Sequence, residues 1–282
     1  MTPPDPQRPS DLRCASYPQN FDPSVDLLRG RVIAVTGAGD GIGRALAIAA
    51  AQSGAQLVLI GRTVRRLEAV HADIAALNTP APAAEACIAP LDLERALASD
   101  YDHLASAVME RFGRLDGLVH NAAQLGTLAP IEYHEMAAWC RVLHVNLTAA
   151  FALTQVLLPA LRASTDASIV FTSSSVGRRG RAFWGAYAVS KFGIEGLSQV
   201  LADETAGTTS IRVNTLNPGA TRTKLRRQAY PAENAALLPS PEDVIKPYLW
   251  LLSAASRGVT GQSLDCQPPR PPSTPPPTAS AS

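Results

Sequence analysis

The stretch that decides the fold is RVIAVTGAGDGIGRALAIAAAQS, residues 31–53. Its first six residues are almost uniformly apolar, which is typical of a short strand buried on both faces. The strand runs into a loop with the glycine spacing GxxxGxG, carried by Gly37, Gly41 and Gly43, and then into a helix rich in Ala, Ile and Leu. Glycine lets a chain turn sharply and approach a pyrophosphate closely, and the first turn of a helix offers free N–H groups. This order of strand, loop and helix therefore predicts a dinucleotide site.

Strand-like and helix-like segments continue to alternate along the rest of the chain. Further strands are predicted at residues 56–60, 86–90, 116–120, 168–172 and 211–216, with an edge strand at 262–266, and helices at 63–77, 97–112, 135–163, 186–205 and 241–253. Apolar strands that alternate with helices indicate a parallel sheet covered on both faces. The sequence thus predicts an α/β fold with one Rossmann-type, doubly wound domain over residues 28–266.

Both ends of the chain differ in composition from this domain. Residues 1–27 form a Pro-rich extension and residues 267–282 a Pro/Ser-rich tail, and both are predicted to be disordered. The first 20 residues hold five prolines and lack the apolar segment of a signal peptide. Four scattered cysteines without a CxxC pair are typical of reduced thiols, so a cytoplasmic location is expected.

The charge balance argues against some classes of partner. Lys and Arg total 25 against 24 Asp and Glu, which gives a net charge of +1. This even balance of charge does not indicate binding to nucleic acid or to an anionic membrane surface. The apolar stretches are too short to predict a membrane-spanning helix, and no metal site is predicted. The expected partner is therefore a small molecule.

The end of the second strand bears on the choice of cofactor. A site that prefers NAD usually has Asp or Glu here for the ribose 2′-hydroxyl, whereas this chain has Gly61 followed by Arg62. A guanidinium binds a phosphate with a planar fork. Asp40 in the glycine loop opposes this preference, because its charge would repel a nearby phosphate. The balance favours NADP(H); the alternatives are use of NAD(H) and an Arg62 that only faces solvent.

Hydroxyl and amino groups that suit proton transfer follow the fifth strand. Ser173, Ser174 and Ser175 close that strand, and Tyr187 and Lys191 follow in a predicted helix. Residues four apart in a helix share one face, so the Tyr and Lys side chains can point to one place. Open α/β sheets bind their ligands at the carboxyl ends of the strands, which is where these residues stand.

Together these motifs resemble the short-chain dehydrogenase/reductase family, in its compact single-domain branch. The resemblance rests on TGAGDGIG at 36–43, LDL at 91–93, HNAA at 120–123, Asn146 in HVNLT, the triple serine with YAVSK, and NPGATRT at 217–223. It covers nearly all of the chain between the tails. Within the family, residues 172–192 and the PYLWL segment at 247–251 resemble one group of bacterial oxidoreductases.

The resemblance implies a role for each matching residue. The catalytic set falls on Asn146, Ser174, Tyr187 and Lys191, with Ser175 as the alternative serine. The residues expected to bind the cofactor are Gly37, Asp40, Gly41, Ile42, Gly43, Arg62, Asp92, Leu93, Asn121, Tyr187, Lys191, Pro218, Gly219 and Thr221. The family's NNAG motif reads HNAA here, and its histidine, His120, is expected to be structural or to line the cleft.

The implied activity is transfer of a hydride between NADP(H) and a carbonyl or alcohol substrate, with Tyr187 as general acid/base. The resemblance also implies that Lys191 holds the ribose hydroxyls, that Asn146 holds a water linked to Lys191, and that the chain forms a homodimer or homotetramer through its two long helices. One alternative is a dinucleotide-binding sensor without catalysis. Another, a sugar-nucleotide epimerase or dehydratase, usually needs a larger C-terminal substrate domain.

Two groups of basic residues flank the expected substrate entrance. They are Arg178, Arg179 and Arg181 in one segment, and Arg222, Lys224, Arg226 and Arg227 in the other. If both groups face one cleft, they would attract an anionic substrate. The alternatives are solvated loop charges, or arginines that contact the phosphates of the cofactor.

Overall fold

The computed structural model describes residues 17–77 and 85–268. Residues 1–16, which include Cys14, and residues 269–282 lie outside the described residues. They make up most of the two segments that the sequence predicts to be disordered.

The last part of the predicted N-terminal extension differs from the expectation of disorder. Tyr17, Phe21 and Leu27 are partly buried and pack against the core of the domain. Asp22 forms an ion pair with Lys246 at 3.0 Å. These apolar side chains give the segment surface to bury, which the Pro-rich stretch before it lacks.

Seven strands in the described part of the chain form one sheet, and every neighbouring pair is parallel. The strands are β1 (Val32–Thr36), β2 (Gln56–Gly61), β3 (Ala86–Pro90), β4 (Gly117–His120), β5 (Ala167–Thr172), β6 (Ile211–Asn217) and β7 (Ser263–Asp265). Their order is β3-β2-β1-β4-β5-β6-β7, which confirms the predicted Rossmann-type fold. The winding reverses between β1 and β4, and open sheets of this kind bind ligands at such a reversal.

Helices cover both faces of the sheet. They are α1 (Gly41–Gln52), α2 (Val64–Ala75), α3 (Ala98–Phe112), α4 (Met136–Leu143), α5 (Ala149–Arg162), α6 (Gly185–Thr205), α7 (Lys224–Ala229) and α8 (Lys246–Leu252). The predicted helices are confirmed with small shifts at their ends, except that α8 begins later than predicted because Glu242–Val244 forms a 3-10 turn. Helix α7 was not predicted. Thr223 caps it by accepting a hydrogen bond from the Arg226 N–H at 3.2 Å.

Strand β1 illustrates how the two layers of core are filled. Ile33 and Val35 point into the layer formed with α1, α2 and α8. Val32 and Ala34 point into the opposite layer, formed with α3, α5 and α6. Each fully buried aliphatic side chain contributes about 1.5–3 kcal/mol to the free energy of unfolding, so both faces of the strand stabilise the fold.

Helices α4 and α5 join into one helix, Met136–Arg162, through a π-helical turn at His144–Thr148. By length and composition alone this helix could cross a membrane, contrary to the expectation from the sequence. Its inner face, however, is buried, because Leu153 and Leu157 pack into the core layer beside the sheet. This packing accounts for its apolar composition.

Candidate active site

A cleft of about 910 Å³ opens along the carboxyl ends of β1, β2, β4, β5 and β6. Most of the predicted site residues line it, namely Gly37, Asp40, Gly41, Ile42, Arg62, Asp92, Leu93, Asn121, Ser174, Tyr187, Lys191, Pro218, Gly219 and Thr221. Two predicted residues, Gly43 and Asn146, lie just behind its wall. The structure thus brings the separate sequence motifs to one edge of the sheet.

The glycine loop closes tightly onto the start of α1. A Cβ built at Gly43 would collide with the Gly37 carbonyl oxygen and would lie 2.6 Å from Asn121 Nδ2. Asn121 Nδ2 in turn donates to the Thr36 carbonyl at 3.1 Å. Gly43 therefore serves packing, because only a residue without a side chain lets the first turn of α1 lie against the loop.

Asp40 and the start of α2 form a charged rim at one end of the cleft. The Asp40 carboxylate caps α1 by accepting the Gly41 N–H at 2.8 Å, and it also pairs with Arg66 at 2.8 Å. Arg62 lies on the same rim and is exposed. The negative charge of Asp40, which counted against a phosphate in the sequence, is thus partly offset by Arg66. Arg66 was missed, although its position four residues after Arg62 could have indicated it.

Tyr187 and Lys191 extend from one face of α6 into the centre of the cleft. Ser174, just after the end of β5, lines the cleft with Tyr187, and its side chain acts to lower the pKa of the Tyr187 phenol. Lys191 Nζ donates to the Thr172 carbonyl at 2.7 Å and lies 5.7 Å from the centre of the Tyr187 ring. Ser175, the alternative serine, is exposed and begins a 3-10 turn.

Burial shifts both titrating groups. It raises the pKa of Tyr187 to about 12, while the side chain of Ser174 acts in the opposite direction. It lowers the pKa of Lys191 to about 8, while the negative charge of Glu195 acts to raise it. At neutral pH the phenol therefore keeps its proton and the amine is mostly charged.

Asn146 lies within the π-helical turn and is buried. Its Oδ1 accepts a hydrogen bond from the Gln124 N–H at 2.7 Å, and its Nδ2 donates to the Gln124 carbonyl at 2.9 Å and to Ser190 Oγ at 3.0 Å. Beside it lies a small internal space of about 10 Å³, which Lys191 and His120 also line. That volume is about what one water molecule needs.

His120 is held as a structural residue. Its ring stacks on Phe171 with 4.8 Å between ring centres, and its Nε2 lies 2.8 Å from Thr154 Oγ1. The Thr154 hydroxyl already donates to the Ala150 carbonyl, so His120 Nε2 is the donor. Burial, and then the charge of Lys191, lower the pKa of His120 to about 3. The ring is therefore neutral at physiological pH.

The two basic groups do not converge on one surface, which was one of the alternatives that the sequence left open. Arg178 turns into the protein, where it pairs with Glu195 at 3.4 Å and Asp265 at 2.8 Å. Arg226 forms two hydrogen bonds with the Glu233 carboxylate, at 2.6 and 2.7 Å. Arg222, Lys224 and Arg227 line a depression beside the glycine loop, and Lys224 and Arg226 also line the main cleft.

The remaining predicted residues lie at the two ends of the cleft. Asp92 accepts a hydrogen bond from the Glu94 N–H at 3.1 Å, which orders the turn after β3. Thr221 is buried after β6, with its hydroxyl 3.4 Å from the carbonyl oxygens of Pro218 and Gly219. Both positions face the cleft from the strand ends where they were predicted.

Comparison with known proteins identifies the family. The family model for short chain dehydrogenase matches residues 31–234. The chain therefore belongs to the short-chain dehydrogenase family and is an oxidoreductase of that family.

Several relatives with similar sequence come from bacteria. The oxidoreductase YciK of Escherichia coli strain K12 is 45% identical over 253 residues, which cover 90% of this chain and 98% of YciK. A short chain dehydrogenase structure from Pseudomonas syringae is 52% identical with a TM-score of 0.84, covering 88% of this chain and 99% of that chain. One from Shigella flexneri 2a strain 301, solved with NADP, is 45% identical with a TM-score of 0.82, covering 87% and 100%. The similarity to YciK confirms the bacterial group predicted from residues 172–192 and 247–251.

Proposed function

We propose that this chain uses NADP(H) to interconvert a carbonyl compound and an alcohol, with Tyr187 as general acid/base. One observation carries the proposal: Tyr187 and Lys191 reach the cleft from one face of α6, and Ser174 lines the same cleft. This arrangement sets a proton donor beside a second hydroxyl where a substrate oxygen can sit. Membership of the family and the similarity to a relative solved with NADP support it.

The residues of the rim fit an NADP phosphate. The close packing at Gly43 leaves the N-terminus of α1 facing the cleft, where its N–H groups suit a pyrophosphate. Arg62 and Arg66 supply two guanidinium groups for a ribose 2′-phosphate. When bound, NADPH supplies the hydride for the carbonyl carbon and leaves as NADP⁺, while the carbonyl oxygen takes a proton that comes ultimately from water.

Other lining residues would hold the rest of the cofactor. We assign the adenine to Asp92 and Leu93, the ribose hydroxyls to Lys191, and the nicotinamide amide to Thr221. Each of these side chains lines the same cleft, and their order along it follows the order of the strand ends.

Proton transfer follows from the environment of Tyr187. Because burial raises its pKa to about 12, the phenol holds a proton that it can give to a developing alkoxide. Ser174 stabilises the same oxygen by a hydrogen bond. In alcohol oxidation the phenol must lose its proton, and the ammonium group of Lys191 stabilises the phenolate. Asn146 would orient one water in the small space beside Lys191, through which the proton is replaced.

The epimerase alternative usually needs a larger C-terminal substrate domain. Between Pro218 and α8 the chain forms only α7 and short turns, so this described segment adds no substrate domain to the cleft.

The test is a panel of ketones and alcohols with NADPH, NADP⁺ and their non-phosphorylated counterparts, followed by absorbance of the reduced nicotinamide. We expect turnover of at least one carbonyl compound, faster with NADPH than with NADH. Binding of NADPH without turnover of any substrate would instead support the sensor and would overturn the proposal.

We also propose that the chain forms a homodimer or homotetramer in the cytoplasm. Four large apolar side chains on α5 and α6 are between 45% and 57% exposed, namely Phe151, Val189, Phe192 and Val200. A second copy would bury them. Cys87, Cys140 and Cys266 are unpaired thiols, which suits a reducing compartment. Light scattering at micromolar concentration tests the assembly, and a monomer would contradict it.

A further inference from the structure

The part of the cleft beyond Tyr187 is lined by apolar side chains. Leu125, Trp184 and Tyr187 are buried in one cluster, and Leu225 and Ala229 pack against it. Leu225 and Ala229 are four residues apart on α7, so they share the face that the helix turns towards the cleft. The Trp184 and Tyr187 rings lie 5.7 Å apart between centres. A substrate whose carbonyl oxygen meets Tyr187 therefore has a hydrocarbon wall beside it.

The outer end of this wall is closed by an aromatic bridge. Tyr230, just after α7, lies 5.9 Å from the Trp184 ring between centres. Arg226 stacks on Tyr230 at 3.8 Å, and Arg181 also hydrogen-bonds to the Tyr230 hydroxyl. The bridge links the segment after β5 to α7.

Two of the nearby arginines are held by carboxylates. The guanidinium of Arg226 is neutralised by the two hydrogen bonds with Glu233, and that of Arg178 by Glu195 and Asp265. Lys224 shares its depression with Asp40 and Gly41 at the glycine loop, which is the end of the cleft assigned to the phosphates. The guanidinium of Arg181 lies 5.9 Å from the centre of the Trp184 ring and is held there by its hydrogen bond to the Tyr230 hydroxyl. A substrate anion beside Trp184 would lose hydration and would have to draw Arg181 away from these rings.

We infer that the substrate is a neutral, largely apolar ketone, or the matching secondary alcohol, whose hydrocarbon part packs against Trp184, Leu125 and Leu225. This inference rests on the proposed function and names the substrate class for that site. It differs from the anionic substrate that the basic residues would attract if both groups faced one cleft.

A series of ketones tests the inference. Purified full-length protein with saturating NADPH is assayed with 2-butanone, 2-hexanone and 2-octanone, and with 7-oxooctanoate and its methyl ester. We expect kcat/KM to rise about two- to fourfold for each added methylene, and the ester to exceed the carboxylate by at least about tenfold. A flat series, or preference for the carboxylate, overturns the inference but leaves the proposed function standing. Failure to turn over any carbonyl compound overturns both.

Two truncations locate the wall. We expect Trp184→Ala and Leu225→Ala to lower kcat/KM for 2-octanone about tenfold while changing that for 2-butanone less than about threefold. Leu237→Ala is the matched control, because that leucine is 80% exposed and does not line the cleft. The dissociation constant of NADPH, measured by fluorescence, reports whether each variant is folded. Equal losses on both ketones from the Leu225 variant would contradict the assignment.

A second inference comes from a buried carboxylate one turn after Lys191. Glu195 accepts hydrogen bonds from Thr215 Oγ1 at 2.7 Å, from Ser263 Oγ at 2.8 Å and from Ser173 Oγ, and it pairs with Arg178. These groups come from β6, from β7, and from the end of β5 with the loop that follows. Ser173 is the residue directly before Ser174.

We propose that Glu195 is a positioning residue that fixes the serine loop against α6, one turn after Lys191. The titratable groups that bear on the Lys191 amine are Tyr187, whose ring centre lies 5.7 Å away, Glu195 on the same helix and His120 on β4, which is neutral. Glu195 is therefore the negative charge in this set. Arg178 and its second partner Asp265 lie on the far side of Glu195.

The test is the pH dependence of kcat/KM for ketone reduction in Glu195→Gln, with Glu195→Asp as the conservative variant. Without the carboxylate the pKa of Lys191 falls, so we expect the alkaline limb of the profile to move to lower pH and kcat to drop about tenfold, with NADPH affinity unchanged. Glu195→Asp should restore the position of the limb. Ser263→Ala removes one partner but no charge and should leave the limb in place. A uniform loss of activity with an unmoved limb, or an unchanged profile and kcat, overturns the positioning role.

Discussion

The two halves of the cleft are built in opposite ways. The half beside β1 and β2 depends on absent side chains, because a Cβ at Gly43 would collide with the loop backbone. The half beyond Tyr187 depends on side chains that are present, such as Trp184 and Leu225. The glycine-loop half can hardly change its shape without losing the bound dinucleotide. The half beyond Tyr187 can accept different side chains, and so different substrates, within the same fold. The comparison separates what defines the family from what defines one enzyme.

The largest expected effect lies at the border between the halves. Tyr187→Phe keeps the ring and its packing but removes the transferable proton, so kcat should fall about 10²- to 10⁴-fold. The Kd of NADPH, from fluorescence titration, should stay within about twofold because neither half changes shape. Substantial residual turnover would mean that the general acid is another group.

Gly43→Ala tests the half of the cleft beside β1 and β2. Overpacking of this kind costs about 1–3 kcal/mol, and the strain is relieved by displacing the loop that faces the cofactor. We expect the Kd of NADPH to rise about ten- to a hundredfold. Gly180→Ala is the matched control, because a Cβ at Gly180 meets nothing within 4 Å. Equal, small effects of the two substitutions would break the comparison.

Substitution of the rim arginines tests which of them contacts the 2′-phosphate of NADPH. Arg62→Ala and Arg66→Ala should each raise the KM for NADPH about tenfold, because each removes a charged contact with the 2′-phosphate, and should leave the KM for NADH nearly unchanged. The increase is limited because both side chains are exposed and solvent screens their charges. Arg65→Ala, an exposed neighbour that does not line the cleft, is the control. A parallel loss with both cofactors would show that the rim does not contact the 2′-phosphate.

The smallest expected effect comes from returning a carboxylate to the end of β2. A Cβ at Gly61 would lie 3.2 Å from the flexible tip of Leu67, so Gly61→Asp should fold with a small adjustment. Repulsion of the 2′-phosphate should lower kcat/KM with NADPH about two- to fivefold, while a new acceptor for the 2′-hydroxyl raises kcat/KM with NADH. An unchanged ratio of the two would argue against a site at this strand end.

The sequence predicted the features that follow from local spacing. The positions of Tyr187 and Lys191 on one helical face needed only the period of the helix, and the glycine loop needed only its place between a strand and a helix. The ends of the strands follow from the switch between apolar and small or polar residues.

Features that depend on distant partners could not be predicted in this way. Arg178 stands in a run of basic residues, and only the fold shows that it turns inward to Asp265, 87 positions later in the chain. Helix α7 is six residues long, too short for helical periodicity to stand out. Trp184 follows Ala182 and Phe183 at the end of a mostly polar loop, and only the fold shows that it packs against Tyr230.

The π-helical turn at His144–Thr148 works as an angular offset in the middle of a helix. Each residue of an α-helix advances about 100° around the axis, and a π turn takes up one residue more than an α turn. The residues of α5 are therefore rotated by about 100° from where an unbroken helix would carry them. Asn146 can reach Ser190 on α6 while Leu153 and Leu157, further along the same helix, still face the core. Deleting one residue from the turn would give the two segments one continuous helical phase. The helix would then lose either the contact between Asn146 and Ser190 or the burial of Leu153 and Leu157 in the core.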